Sequence, residues 1–304
     1  MRYILLTLSL SLLFIGCSSE KITDQAASSQ MQEVDVQDVE TQNIVRLQTM
    51  YDEGIDKMQA GQKEEGLKDV MKAANEGLAQ AQIMLGFFYN VGSDVPKDTQ
   101  KAIALWEKAA AQNSAMGHTA FIYLGETYES GEDVPQDYSK AMYWYRKGAD
   151  EGSPIEIQHL GSLYEHGHGT PVDLEKAAEL YRKAADSGNA DAQTSLAFMY
   201  FKGEGVPQNY LQAKDYAQKA ALQGNGRAQF LSGTLHIGVP SIPIDYVAAY
   251  AWYSLAKAGG IEDANGLLVE LAKKMMPEQI TNAQKLSKEQ YDTIQTNKKI
   301  FGSN

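Results

Sequence analysis

The sequence predicts an all-α chain: an α-solenoid of helix–turn–helix pairs, closed at both ends by atypical capping helices. Three observations carry that prediction. An apolar pattern at helical offsets recurs along the chain, a turn of fixed chemistry follows it each time, and the recurrence interval is constant. Ala192, Leu196, Met199 and Tyr200 stand at offsets 0, 4, 7 and 8, one face of a helix, and Ala81, Leu85, Phe88 and Tyr89 stand at the same offsets. Ala120, Leu124, Thr127 and Tyr128 repeat the pattern with one polar substitution, and Leu160, Leu163 and Tyr164 repeat its last three positions.

The turn comes next. Gly92 leads to Asp98, Gly131 to Asp137, Gly167 to Asp173 and Gly203 to Asn209, six residues apart each time. Glycine ends a helix in the left-handed conformation. Pro96, Pro135, Pro171 and Pro207 cannot continue it. The Asp or Asn offers a side-chain oxygen to the open N–H groups of the following helix. A second helical pattern follows: Ala102, Leu105, Trp106, Ala109 and Ala110, then Ala141, Trp144, Tyr145, Gly148 and Ala149. It recurs as Ala177, Leu180, Tyr181, Ala184 and Ala185, and as Ala213, Tyr216, Ala217, Ala220 and Ala221. The period is 36 residues from Leu124 to Leu160 to Leu196. Helix pairs at this period bury their faces against their neighbours.

These residues resemble the Sel-1-like repeat family, relatives of the tetratricopeptide repeats. The resemblance rests on Leu160-Gly161, Tyr164, Gly203-Glu204-Gly205-Val206, Asp137, Lys140-Ala141, Trp144-Tyr145 and Lys108-Ala109-Ala110, and it spans about residues 79–259. It implies proteins that serve as adaptors in complex assembly and signalling, often at cell envelopes. Met275 to Ile280, with Ala283-Gln284, is similar to the tail that closes such arrays.

Residues 1–17 read as a lipoprotein signal peptide. Met1-Arg2 is a short positive region, and Tyr3 to Gly16 is an apolar run too short to span a bilayer. Phe14-Ile15-Gly16-Cys17 resembles a bacterial lipobox, with Cys17 as the lipidated residue and the only cysteine of the chain. Ser18 resembles an outer-membrane sorting signal, which implies an anchor in that membrane with the protein facing the periplasm. Residues 18–40 are rich in Ser, Gln, Asp and Glu and read as a disordered tether. Residues 41–78 read as a degenerate capping pair whose first helix begins at Ile44, Leu47 and Tyr51, residues 79–259 as the array, and residues 260–304 as C-terminal capping helices. From Gly238 to Asp245 the spacing lengthens to seven residues and carries Pro240 and Pro243, and Asn297 to Asn304 is expected to fray. A three-residue excess lies between Gln112 and His118.

The chemistry visible in the chain is sparse. The five histidines are His118, His159, His166, His168 and His236, and the one close set, His166-Gly167-His168, lies in a repeat turn without the three or four ligands a metal wants. Gly161-Ser162 and Gly233-Thr234 lack a nucleophile elbow, and Gly203-Glu204-Gly205 lacks the following Gly-Lys-Ser of a phosphate loop. No catalytic residue, metal or cofactor is expected. With 39 acidic against 27 basic residues and a net charge of −12, the chain has no basic patch for nucleic acid. The expected partner is another protein, held on the solenoid surface by Gln82, Phe87, Thr194 and Phe198 between the core offsets, with Met116 and His118 in the lengthened turn. A membrane-anchored envelope adaptor is the leading reading. An inhibitor or immunity protein against an envelope-acting toxin shares every feature with it. The third, a hydrolase of the β-lactamase-like type, is implied only by cysteine-rich relatives, and this chain lacks their paired cysteines.

Overall fold

The computed structural model describes residues 20–112 and 116–301, with side chains over 39–299. Among them are fourteen helices and no strand. The contacts divide the chain into two units at the Leu78–Ala79 junction. The expected leader and Cys17 lie outside the described residues.

The first unit holds α1 (Glu20–Gln59) and α2 (Lys63–Asn75). The stretch read as a disordered tether is helical from Glu20 onward. Its Glu, Gln, Lys and Ala residues lose little side-chain freedom in a helix, and low hydrophobicity does not forbid one that continues into a packed segment. Leu47 and Tyr51 are buried as expected, whereas Ile44 is exposed. The two helices approach most closely where Gly54 faces Gly66: a Cβ on Gly66 would sit 2.3 Å from the Gly54 carbonyl oxygen. Arg46 pairs with Glu76 at 2.5 Å and Lys57 with Asp69 at 2.6 Å.

The second unit begins with five helix pairs. They are α3 (Ala79–Val91) with α4 (Thr99–Ala110), α5 (Gly117–Ser130) with α6 (Tyr138–Asp150), α7 (Pro154–His166) with α8 (Leu174–Asp186), α9 (Ala190–Lys202) with α10 (Tyr210–Ala221), and α11 (Gly226–Leu235) with α12 (Tyr246–Ala258). Then come α13 (Asp263–Ala272) and α14 (Pro277–Phe301). Each helix of the array packs mainly on its neighbours in sequence, and the first helices of successive pairs also touch.

The repeated turn works as its residues predict. Gly92, Gly131, Gly167 and Gly203 all have φ between 66° and 80°. Asp98, Asp137, Asp173 and Asp245 each accept the N–H three residues on at 2.9–3.0 Å, and Asn209 does so at 3.1 Å. Each such cap is worth about 1 kcal/mol. The capping residue also donates its own N–H back to the first helix: Asp98 to Tyr89, Asp137 to Tyr128, Asp173 to Tyr164, Asn209 to Tyr200 and Asp245 to His236. The last turn keeps this bond despite its displaced glycine and two prolines, because α11 ends early and His236 takes the tyrosine position.

Two junctions hold the array together. Within a pair, Gly86 lies against Trp106, Gly125 against Tyr145, Gly161 against Tyr181 and Gly233 against Tyr253. A Cβ on Gly125 would be 2.3 Å from the Tyr145 ring. In the α9–α10 pair both positions are alanine, Ala197 and Ala217, and both are fully buried. Between pairs, Ala109 and Ala120, Ala184 and Ala192, Ala220 and Ala228, and Ala256 and Ala264 occupy matching places, all with no exposed area. The α6–α7 junction departs from this rule: it has Gly148 and Glu156, and a Cβ on Gly148 would lie 2.6 Å from the Glu156 Cγ.

The C-terminal end is ordered further than expected. Ile294 of α14 is buried with Ala220, Ala221, Ala228, Trp252 and Leu255. Asn297 donates from Nδ2 to the Leu222 carbonyl at 3.1 Å. That bond caps the end of α10 and holds α14 through the stretch expected to fray; residues 302–304 lie outside the described part. Among the described residues no helix is long and apolar enough to cross a membrane.

Candidate functional site

Helices α7, α9 and α11, the first members of three successive pairs, line a groove of about 440 Å³. Gln158, His159, Ser162, Glu165 and His166 enter it from α7, Asp191, Thr194, Ser195, Phe198 and Lys202 from α9, and Arg227 from α11. A smaller hollow of about 170 Å³ lies between α3 and α5, bounded by Trp106, Tyr123, Glu126, Glu132 and Asp133. These first helices are buried on several sides, by their own partner and by the second helix of the preceding pair. Only a narrow strip of each reaches the groove.

Most charges on this strip are held by internal partners. The Tyr181 hydroxyl donates to Glu165 at 2.6 Å, and the Tyr145 hydroxyl donates to Glu129 at 2.6 Å. Burial raises both tyrosines above their ordinary range, and the adjoining carboxylates raise them further, so both hydroxyls stay protonated donors. His159 stacks on Tyr145 at 4.7 Å and stands between two carboxylates, 3.4 Å from Glu129 and 3.9 Å from Glu126. Burial pushes the Glu129 carboxyl up, but the His159 and Tyr145 hydrogen bonds outweigh it and hold the group below its usual value. Glu126 lacks that support, and burial leaves its carboxyl raised. Asn225 donates to Asp191 at 2.8 Å, and Lys202 pairs with Glu204 at 3.3 Å.

Nucleophilic chemistry is not set up here. Ser162 Oγ lies 3.5 Å from His166 Nδ1, but that nitrogen is 2.9 Å from the Ser162 carbonyl oxygen. An Nδ1–H that donates to a carbonyl cannot also take the hydroxyl proton. His166 and His168 stack at 5.5 Å, and His168 stacks on Tyr138 at 4.3 Å. Among the described residues no group of three His, Cys, Asp or Glu could hold a metal ion.

The residues expected to meet a partner divide sharply. Phe87 is 41% exposed and leans on Tyr123, and Met116 is 40% exposed. Phe198 lines the groove beneath the Arg227 guanidinium. Gln82 is a correction, for it is buried, and Thr194 is buried too although it lines the groove wall. The Gln82 amide oxygen accepts from Gln112 at 2.8 Å, and the Thr194 hydroxyl donates to the Ala190 carbonyl at 2.7 Å. The strip facing the groove is narrower than a surface helix would leave, so positions next to the core offsets fall inside. His118 contacts Glu151 through Nε2, a link between the start of α5 and the end of its partner α6, and residues 113–115 beside it lie outside the described part. Arg227, His159, Glu126 and Lys202 were not singled out from the sequence. The signal was available: Phe87, Glu126, Ser162, Phe198 and Thr234 share one repeat position, and Ile155, Asp191 and Arg227 share another.

A family model described as Sel1 repeat matches residues 79–114, 122–153, 159–189, 190–225 and 226–261, more than half of the chain. A Sel1 repeat protein from Oxalobacter formigenes is 27% identical, with a TM-score of 0.65, over 78% of this chain and 96% of that one. A protective antigen of uropathogenic Escherichia coli strains, which displays an SLR fold, is 25% identical with a TM-score of 0.50; the match covers 77% of this chain but 58% of that one. An immunity protein from Pseudomonas aeruginosa aligns at 22% identity over 71% of this chain and 83% of that one, with a TM-score of 0.42. No curated protein matches the chain.

Proposed function

The chain belongs to the Sel1 repeat family, and on that premise we propose that it is a protein-interaction scaffold of a bacterial envelope, gripping its partner in the α7–α9–α11 groove. The Sel1 repeat fold implies an interaction scaffold, and the groove supports placing the contact here. The observation that carries the reading is the groove itself. It is lined by side chains from three separate repeats, so a bound segment touches all three at once. Its walls mix charge, hydroxyls and the rings of Tyr181 and Phe198, the mixture that protein interfaces use to fix register.

The envelope address rests on the sequence alone. The apolar run before Cys17, and Ser18 after it, support a lipid anchor in the outer membrane. Lipid chains there would hold the scaffold at a surface, where a second weak contact gains from high local concentration.

The test is crosslinking and recovery of the intact chain from membranes, compared with Cys17→Ala and with Ser162→Trp, which fills the groove. A partner recovered with the intact chain and lost with Ser162→Trp supports the groove. Loss with Cys17→Ala supports the anchor. Unchanged recovery from Ser162→Trp moves the contact elsewhere, and a toxic enzyme as the recovered partner replaces the adaptor role with an inhibitory one.

A further inference from the structure

We propose that Arg227 is the specificity residue of the groove and seats an acidic side chain of the bound segment; this rests on the groove being the partner surface. The other charges of the groove have internal partners. Glu165 accepts from Tyr181, Asp191 from Asn225, and Lys202 and Glu204 hold each other. Arg227 differs. Its guanidinium lies 5.3 Å over the Phe198 ring, and among the described residues it makes no ion pair.

The group is also ready to bind. A guanidinium is a planar fork of N–H donors, and resting near an aromatic face uses none of them. That geometry suits the bidentate grip of a carboxylate. Arg227 is not part of the repeat's own architecture, because the matching positions are Ile155 and Asp191. The occupant is a monoanion. A phosphate dianion would face the Glu165, Asp191 and Glu204 carboxylates in the same groove, whereas a single carboxylate on Arg227 neutralises its charge. The groove crosses three helices, so a segment laid in it offers a side chain.

The test pans a display library of random dodecapeptides against the full chain and measures selected peptides by fluorescence anisotropy. The expected binders carry an Asp or Glu at one recurring position and lose binding to Ser162→Trp. Changing that residue to its amide, or Arg227→Gln, weakens binding at least tenfold, and the two changes together cost little more than either. Arg227→Lys gives an intermediate loss. Groove-sensitive binders with no recurring acid, or with unchanged affinity for Arg227→Gln, overturn this inference and leave the groove reading standing. Binders whose only required carboxylate is the C-terminal one, lost on amidation, overturn the side-chain assignment. A selection with no binder sensitive to Ser162→Trp overturns both readings.

Discussion

Gly148 and Glu156 offer a perturbation whose sign reverses between the single and the double substitution. Of the five junctions at which a pair meets the next helix, four place two fully buried alanines where this one has glycine and glutamate. Glu156 is only 2% exposed, and the Ser153 hydroxyl is its hydrogen-bond donor. In Gly148→Ala the new methyl carbon would sit 2.6 Å from Glu156 Cγ and 2.7 Å from its Cδ. Overpacking of this kind costs about 1–3 kcal/mol, against about 1 kcal/mol gained by replacing a helical glycine. The single substitution is therefore expected to destabilise by ~1 kcal/mol. With Glu156→Ala added, the clash disappears and so does a buried polar side chain. The double variant recreates the Ala–Ala junction of the other repeats and is expected to exceed the parent by about 1–3 kcal/mol, with a coupling of similar size between the sites. Urea unfolding of the four proteins measures it. A double variant less stable than the parent, or strictly additive single effects, would refute the reasoning from repeat to repeat.

Three further outcomes follow from the same packing. Gly125→Ala puts a methyl 2.3 Å from the fully buried Tyr145 ring and should cost about 1–2 kcal/mol net in urea unfolding, whereas Ala197→Gly, which clashes with nothing, should lose ~1 kcal/mol of helix propensity together with about 1 kcal/mol for its buried methyl. Burial holds His236 below its ordinary pKa, so on acidification the unfolded chain takes up the proton first. Stability from this residue is complete above about pH 6.5 and declines as the pH falls from there toward the folded pKa. His236→Tyr, which installs the residue of the other repeats, should flatten the midpoint-versus-pH curve between pH 7 and 5; an unchanged slope would assign the acid sensitivity elsewhere. Ile294→Ala should destabilise by about 2–5 kcal/mol, read by thermal unfolding, because Ile294 is buried against Trp252 and Leu255. A negligible effect would mean that α14 is not docked.

The array was legible in the sequence because its signals are local and repeated. Gly167 stops a helix, Pro171 breaks it and Asp173 starts the next, all within seven residues, and each does so by its own backbone chemistry. The capping helices were legible only in part. Residues 20–40 lack apolar periodicity, yet they continue a helix that is anchored further on by Leu47 and Tyr51. Asn297 reads as a terminal residue until its bond to Leu222, 75 positions earlier, is seen. The groove was the least legible part. Of the residues singled out, Phe198 and Thr194 line the groove, Phe87 is exposed outside it, and Gln82 falls inside, since neighbouring repeats bury more of each helix than a single amphipathic face suggests. Arg227 gains its meaning from Phe198, 29 residues earlier, and from the internal pairing of every other groove charge. No local pattern carries that information.

The most direct test of the groove as the partner surface places a photo-crosslinking amino acid at Ser162, inside it, and in a second protein at Glu179 of α8, whose side chain is 68% exposed away from the groove lining. Irradiation of cells expressing each protein is expected to give a discrete adduct from position 162 and none from position 179. Adducts from position 179 alone, or equal adducts from both, would contradict the assignment of partner binding to the α7–α9–α11 groove.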